Sequence, residues 1–399
     1  MSAFTPQLSS KNAHSRAPLA SVLPPLMLGT ATFNTQHVED PSQMPCRQIV
    51  QRAFELGVNG FDTSPYYGPS EILLGDALAA HASTFSTPRS SYFIATKAGR
   101  IGPQEFDYTP EHVRSSVLRS LERLHTSYID LVYMHDVEFV SPMEVLEAVK
   151  TLRQLQAQGL VRYVGISGFP VDVLCSLSEM ILGETNVPLD AVLSYGHFTI
   201  QNPVLGLHEI TGARNGEMSP LQRFKTSGVQ VVLNASMLGM GLLTHNGIPT
   251  AEESAQAEGK GALIAKWHPS PADLRLKCRD LAVIAEAEGH RLENVALRWS
   301  MEEYAHVGAL AGLGVELPEA RNVRVGGSVM GVTAIKELDQ TVDLWRDILA
   351  SMGKDGNRSD MARMVEEKMW PALGKWMGYA WASPEPGFKN KRQVMARIA

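Results

Sequence analysis

Cysteine is scarce in this chain. Cys46, Cys175 and Cys278 are the three in 399 residues, far apart and without a CxxC pair. That spacing excludes a disulfide framework or a zinc ribbon, and isolated free thiols fit a reducing compartment, so a cytoplasmic location is expected. Long apolar runs are missing too, since none reaches the roughly 18 residues of a membrane-spanning helix. The opening MSAFTPQLSSKNAHSRAPLA has no extended apolar core, which argues against a secretory signal. Charge of one sign is also in short supply. The 36 Lys and Arg against 42 Asp and Glu leave a net charge of −6, which argues against a broad nucleic-acid footprint. A last absence bears on the fold. An open dinucleotide-binding sheet carries G-x-G-x-x-G after an early strand, and the turn LMLGTATFN has the single glycine Gly29.

What the chain does have is alternation. Short apolar runs recur as LMLGT, VNGFDT, YFIATK, IDLVYMH, RYVGIS, DAVLSY, VQVVLNA and RVGGSV. Near-continuous apolar runs are the mark of strands buried on both faces of a parallel sheet. Between most of them lie helical patterns with start and stop signals: Thr109 before Pro110 and Glu111, Ser141 before Pro142, and the terminal glycines Gly57 and Gly159. Eight such units predict an α/β fold, a closed (β/α)8 TIM barrel, over residues 26–351. An N-terminal extension, 1–25, precedes it, and a C-terminal tail, 352–399, follows. Trp370, Trp376 and Trp381 predict that the tail packs on the barrel. Two segments break the alternation: 243–270, a long loop after strand seven, and 302–321, ahead of strand eight.

In such a barrel the C-terminal strand ends converge on one face, where polar residues carry chemistry. Asp62, Lys97, His135 and Ser167 each end a predicted strand, and Tyr66–Tyr67–Gly68 follow Asp62 in GFDTSPYYGPSEILLGDAL. Singly, Asp62 reads equally well as a helix cap, Lys97 as a surface charge and His135 as a packed core residue. Together they describe a proton relay. An ammonium beside a phenol stabilises the phenolate, a carboxylate fixes the ammonium, and an imidazole orients a carbonyl or hydroxyl oxygen. The pattern offers no nucleophile, metal cluster or phosphate loop, so any hydride must pass to a cofactor.

GFDTSPYYGPSEILLGDAL, IATK, DLVYMHD and VGISGF resemble, in this order, the signature segments of the aldo-keto reductase family. LSYGHFTIQN, NASMLGMGLLT and VALRWS are similar to its branch acting on L-galactose or D-arabinose. The resemblance implies Asp62, Tyr67, Lys97 and His135 as the catalytic set. It implies cofactor contacts at Gly29, Thr30, Ala31, Ser167, Gly168, Asn234, Ser236, Leu238, Gly239, Gly241 and Gly327, and a substrate pocket formed by Phe33, Tyr66 and His135. The expected activity is oxidation of a small aldose to a lactone by an NAD(P)-dependent dehydrogenase. The alternatives are an NADPH-dependent carbonyl reductase and a barrel kept as a regulatory or binding subunit. Three departures stand out. Gly168 replaces the family's asparagine, Ala235 stands where an aromatic ring stacks on the nicotinamide, and the loop after strand eight lacks the cations that grip a 2′-phosphate. NAD is therefore expected over NADP, although Arg321 and Arg324 flank strand eight and could supply a cation. A small sugar or carbonyl compound is the expected partner, with no nucleic acid, membrane or metal, and the protein is expected to be a monomer or weak homodimer.

Overall fold

The computed structural model describes residues 16–212, 216, 218–254, 259–317, 320–352 and 359–392. Eight parallel strands close on themselves: β1 (Leu26–Gly29), β2 (Gly60–Asp62), β3 (Phe93–Ala98), β4 (Ile129–His135), β5 (Val161–Gly168), β6 (Ala191–Tyr195), β7 (Val231–Ala235) and β8 (Gly327–Gly331). The hydrogen-bonded order runs β1-β8-β7-β6-β5-β4-β3-β2 and back to β1. Each of the eight predicted runs supplies one barrel strand. Residues in register across a parallel pair share a face, and side chains alternate along each strand. Register joins Gly331 to Gly29, Gly29 to Asp62, Lys97 to Tyr133, His135 to Ser167, and Tyr195 to Ala235. These pairings bring Asp62, Lys97, His135, Ser167, Tyr195 and Ala235 to the inner, upper rim of the barrel.

The outer layer is α1 (Cys46–Glu55), α2 (Ser70–Phe85), α3 (Pro110–Arg123), α4 (Pro142–Ala157), α5 (Val171–Thr185), α6 (Pro220–Thr226), α7 (Ala272–Ala287), α8 (Leu292–Leu310) and α9 (Ile335–Ser351), with shorter turns between. The predicted caps are in place. The Thr109 side chain accepts from the His112 amide, and Ser141 forms a reciprocal box with Glu144. One expectation is corrected: the segment 302–321 was read as irregular, yet α8 runs through it to Leu310. That helix buries Val295, Ala296, Trp299, Glu303, Tyr304 and Val307 on several sides, so it shows no single apolar stripe. The rest of the segment forms a hairpin of Val315–Leu317 with Ala320–Val325. It hands the chain to β8 through Gly326, where a Cβ would lie 2.0 Å from the Tyr304 carbonyl oxygen.

Three additions position the site. A second small hairpin, Arg100–Gly102 with Glu105–Phe106, leaves β3 directly at the mouth. The 243–270 loop contains two helical pieces, Ala251–Ser254 and Gly259–Ala265. Arg275 on α7 staples this loop, donating to the carbonyls of His268 (2.7 Å) and Pro249 (2.5 Å) and to Ser270 Oγ (2.9 Å). In the tail, Val365, Met369 and Leu373 are buried against the helical layer, and Trp370 Nε1 donates to the Ile200 carbonyl at 3.1 Å. Farther on, Trp381 stacks on Phe169 at the end of β5, with centroids 4.6 Å apart. Asn390 closes the strap by pairing with both the amide and the carbonyl of Phe106.

Candidate active site

Asp62, Lys97, Tyr67 and His135 meet at this rim. Lys97, 2% exposed on the inward face of β3, donates to Asp62 Oδ1 at 2.6 Å and to the Thr63 carbonyl at 3.0 Å. Its Nζ lies 4.9 Å from the centre of the Tyr67 ring. Burial pulls the lysine pKa down, but Asp62 and then Tyr67 reverse that, so it is raised overall and the ammonium keeps its proton. Burial raises the Tyr67 pKa above its ordinary value, Lys97 opposes this, and Asp62 and Asp136 add to it. Lys97 therefore acts on the phenol in the expected direction, while dehydration of the pocket outweighs it.

The protonation of His135 follows from its neighbours. Ser64 Oγ accepts from the Tyr66 amide (3.1 Å) and lies 3.0 Å from His135 Nδ1; we assign the tautomer in which Ser64 donates to Nδ1, because the Asp136 carboxylate then stands beside the Nε2 proton at 3.6 Å. That leaves the ring proton on Nε2. Burial lowers the His135 pKa to about 3, with Lys97 and Arg100 lowering it further against Asp136. The imidazole is neutral at physiological pH and presents an Nε2–H donor between the tyrosine rings, whose centres lie 5.9 Å (Tyr66) and 5.7 Å (Tyr67) away.

Further groups at the mouth were not singled out from the sequence. Asp136, at φ 56° and ψ 62°, turns its carboxylate back to within 3.6 Å of His135 Nε2 and pairs it with Arg100. Arg100 lies over the Tyr66 ring at 3.9 Å and donates to its hydroxyl at 3.1 Å. Glu138 accepts from the Phe169 amide and from Ser383 of the tail (2.9 Å), and burial followed by the Asp136 charge raises its pKa to about 8. Tyr195 ends β6 with its phenol pKa well above the ordinary value through burial. Asp136 was in view as the last letter of DLVYMHD, and Arg100 follows Lys97 by three residues, but neither spacing announces its partner.

The residues expected to hold a cofactor are scattered by comparison. The turn after β7 curls through Ser236, Gly239, Met240 and Gly241 at φ 58°, 56°, 55° and 109°, a shape that gathers backbone amides around an anion. Leu238 belongs to the same turn, and Ala31 lies in the loop after β1. Gly29 packs at the rim, where a Cβ would meet Val329 at 2.8 Å. The Thr30 hydroxyl is engaged with the Asp62 carbonyl and Ser70 Oγ, and Asn234 Nδ2 with the Phe198 carbonyl. Gly327 opens β8 at the far end of the barrel, in register with Leu233. Phe33 is fully buried. At Gly168 a Cβ would stand 2.6 Å from Glu138 Oε2, so a larger side chain there requires the Glu138 carboxylate to move. Arg324 lies on the hairpin ahead of β8, away from the mouth, and pairs with Glu316. The Arg321 side chain lies outside the described residues.

Two surface cavities of about 350 and 270 Å³ lie elsewhere, beside Arg153 and Thr185 and beside Pro18 and Lys225. Neither contains a member of the polar set at the rim.

The sequence profile of the aldo/keto reductase family matches residues 25–351. D-arabinose 1-dehydrogenase of Saccharomyces cerevisiae is 38% identical over 374 residues, covering 92% of this chain and 96% of that protein. L-galactose dehydrogenase of Arabidopsis thaliana is 33% identical over 330 residues, covering 81% of this chain and 86% of that one. Among solved structures, a glycerol dehydrogenase from Gluconobacter oxydans superposes with a TM-score of 0.57 at 18% identity, covering 94% of this chain and 98% of that one, which speaks for the fold alone. With a family match spanning the whole barrel and two relatives above 30% identity aligned over most of their lengths, this chain is a member of the aldo/keto reductase family.

Proposed function

We propose that the protein oxidises a small aldose of the D-arabinose or L-galactose kind at its anomeric carbon, giving a lactone, with NAD preferred to NADP. The observation that carries this reading is the buried Asp62–Lys97 pair beside Tyr67 and a neutral His135. Such a relay moves a proton to or from an oxygen and has no nucleophile of its own. The names of the two relatives above support the sugar as substrate.

The residues present fit a nicotinamide dinucleotide. The curled Ser236–Gly241 turn suits a pyrophosphate, and Ser167 faces inward beside His135 where the nicotinamide amide would lie. When bound, the oxidised nicotinamide supplies a hydride acceptor. The His135 Nε2–H donates to the anomeric oxygen and holds it. In its phenolate form, which the raised pKa makes the minor one, Tyr67 takes the proton from that hydroxyl while the carbonyl forms. Lys97 stabilises the phenolate and Asp62 keeps the ammonium aimed at it.

The cofactor preference rests on charge. A 2′-phosphate adds nearly two negative charges and calls for an unpaired cation. In the loop after β8, the Thr333 amide donates to Glu337, in the first turn of α9, at 2.6 Å. Lys260, reaching over from the 243–270 loop, stands 3.9 Å from the same carboxylate. This lysine was missed from the sequence because it belongs to a different segment. The pair is loose and solvent-exposed, and an added phosphate would face that acid. The test is kcat/KM with NAD and with NADP, followed at the nicotinamide absorbance with D-arabinose and L-galactose. At least a tenfold preference for NAD is expected, about 1.4 kcal/mol; parity or a preference for NADP contradicts the charge argument, and no turnover of any aldose contradicts the activity.

A further inference from the structure

We infer that Arg100 and Asp136 form a clamp for the hydroxyl next to the anomeric carbon, making them specificity-determining residues of the site. The identity of the ligand rests on the aldose reading above; the clamp itself rests on geometry. Asp136 lies beside the His135 Nε2–H, at 3.6 Å, so its carboxylate occupies the flank of the place where the reacting oxygen is held. A vicinal hydroxyl is the substrate group that comes to that flank.

The pair has capacity left over. Asp136 is 1% exposed and its Oδ2 binds Arg100, while Oδ1 has no hydrogen-bond partner among the described residues. Arg100 uses Nη1 on Asp136 and Nη2 on the Tyr66 hydroxyl, and its buried Nε is also without a partner. A buried donor or acceptor left unmade is costly, more so when charged. A sugar hydroxyl can donate to Asp136 Oδ1. A simple aldehyde carries no such donor, so its binding leaves that acceptor unmade. Sites built to hydrogen-bond a hydroxyl reject analogues lacking it far more strongly than apolar pockets reject an extra methylene.

The arrangement also has a scaffold. Arg100 sits on the small hairpin directly after β3, three residues beyond Lys97, and Tyr66 lies one residue before Tyr67. The guanidinium lies over the Tyr66 ring and is bonded to Asp136 and the Tyr66 hydroxyl, so its fork is oriented before a ligand arrives. Asp136 is placed by its left-handed backbone, a conformation that aspartate tolerates better than most residues.

The experiment is a cycle between one protein group and one sugar hydroxyl. D-arabinose is compared with 2-deoxy-D-ribose, which is the same sugar without its C2 hydroxyl, on wild type and on Asp136→Asn. In wild type, loss of the hydroxyl is expected to lower kcat/KM about 10- to 100-fold, the range of a hydrogen bond to a charged group. In Asp136→Asn the two sugars are expected to differ less than about 3-fold, with the loss on D-arabinose appearing mainly in KM. Arg100→Lys keeps a cation against Asp136 and is expected to reduce the discrimination to an intermediate value. An undiminished C2 penalty in both variants overturns the clamp. The same cycle on dissociation constants, by calorimetry with the two sugars, needs no turnover. Discriminating binding by wild type without oxidation keeps the clamp and removes the dehydrogenase reading, whereas equal binding of the two sugars, or none, overturns the clamp.

Discussion

At Tyr67, dehydration and charge pull in opposite directions. Burial raises the phenol pKa, and Lys97 is the first influence that lowers it. Removing the lysine leaves the upward terms of burial, Asp62 and Asp136 unopposed. Lys97→Met is therefore expected to move the rising limb of the kcat profile, where Tyr67 loses its proton, to higher pH as well as to lower its plateau. A profile that merely scales down, with unchanged limbs, would assign the lysine a different role. The four members of this relay were legible in the sequence because each stands at a strand end or in the turn just beyond. The groups around them were not, because their roles depend on partners distant in the chain. Glu138 meets Ser383, 245 positions away, and Lys260 meets Glu337. No local pattern encodes those pairings.

Elements differ in how openly they declare themselves. Barrel strands buried on both faces read as unbroken apolar runs, and all eight were found. The two hairpins, built from pieces of two to six residues, were not, since so short a run has no period to detect. The 243–270 loop was located by its composition, but its closed form depends on Arg275. That buried guanidinium binds Ser270 and the carbonyls of Pro249 and His268. Through the loop, Trp267 reaches the Gln36 carbonyl at 3.1 Å, so one staple holds the loop after β7 against the loop after β1. Arg275→Met is expected to free the loop by at least the value of one charged hydrogen bond, about 1.5–3 kcal/mol. Limited proteolysis within 243–270 should then run roughly ten or more times faster than in wild type at the same temperature. Unchanged cleavage there would show that the loop is held by other contacts.

For the whole molecule, buried titratable groups set how stability responds to pH. Burial lowers the pKa of His37, His197 and His268 to about 4 each and of His135 to about 3. Between those values and the ordinary histidine value of about 6.5, the unfolded chain binds protons that the folded one refuses. Stability from these groups is thus present above pH 6.5 and lost as pH falls toward 4. Glu138 has the opposite sign. Its folded pKa of about 8 exceeds the ordinary value, so its contribution is present at low pH and lost as pH rises toward 8. Glu138→Gln, which keeps an acceptor for Phe169 and Ser383, should therefore gain Tm relative to wild type as pH goes from 5 to 8. A constant difference between the two proteins across that range would mean that Glu138 does not titrate there.

The central claim, a tyrosine-driven proton transfer in aldose oxidation, is tested most directly by the turnover of Tyr67→Phe with D-arabinose and saturating NAD. General acid–base help is worth about 10²–10⁴-fold. Wild type should reduce the cofactor readily, Tyr67→Phe should fall by at least the lower figure in kcat, and Tyr66→Phe, which keeps the relay, should retain far more activity. Near-normal turnover by Tyr67→Phe, above all beside an inactive Tyr66→Phe, would contradict it.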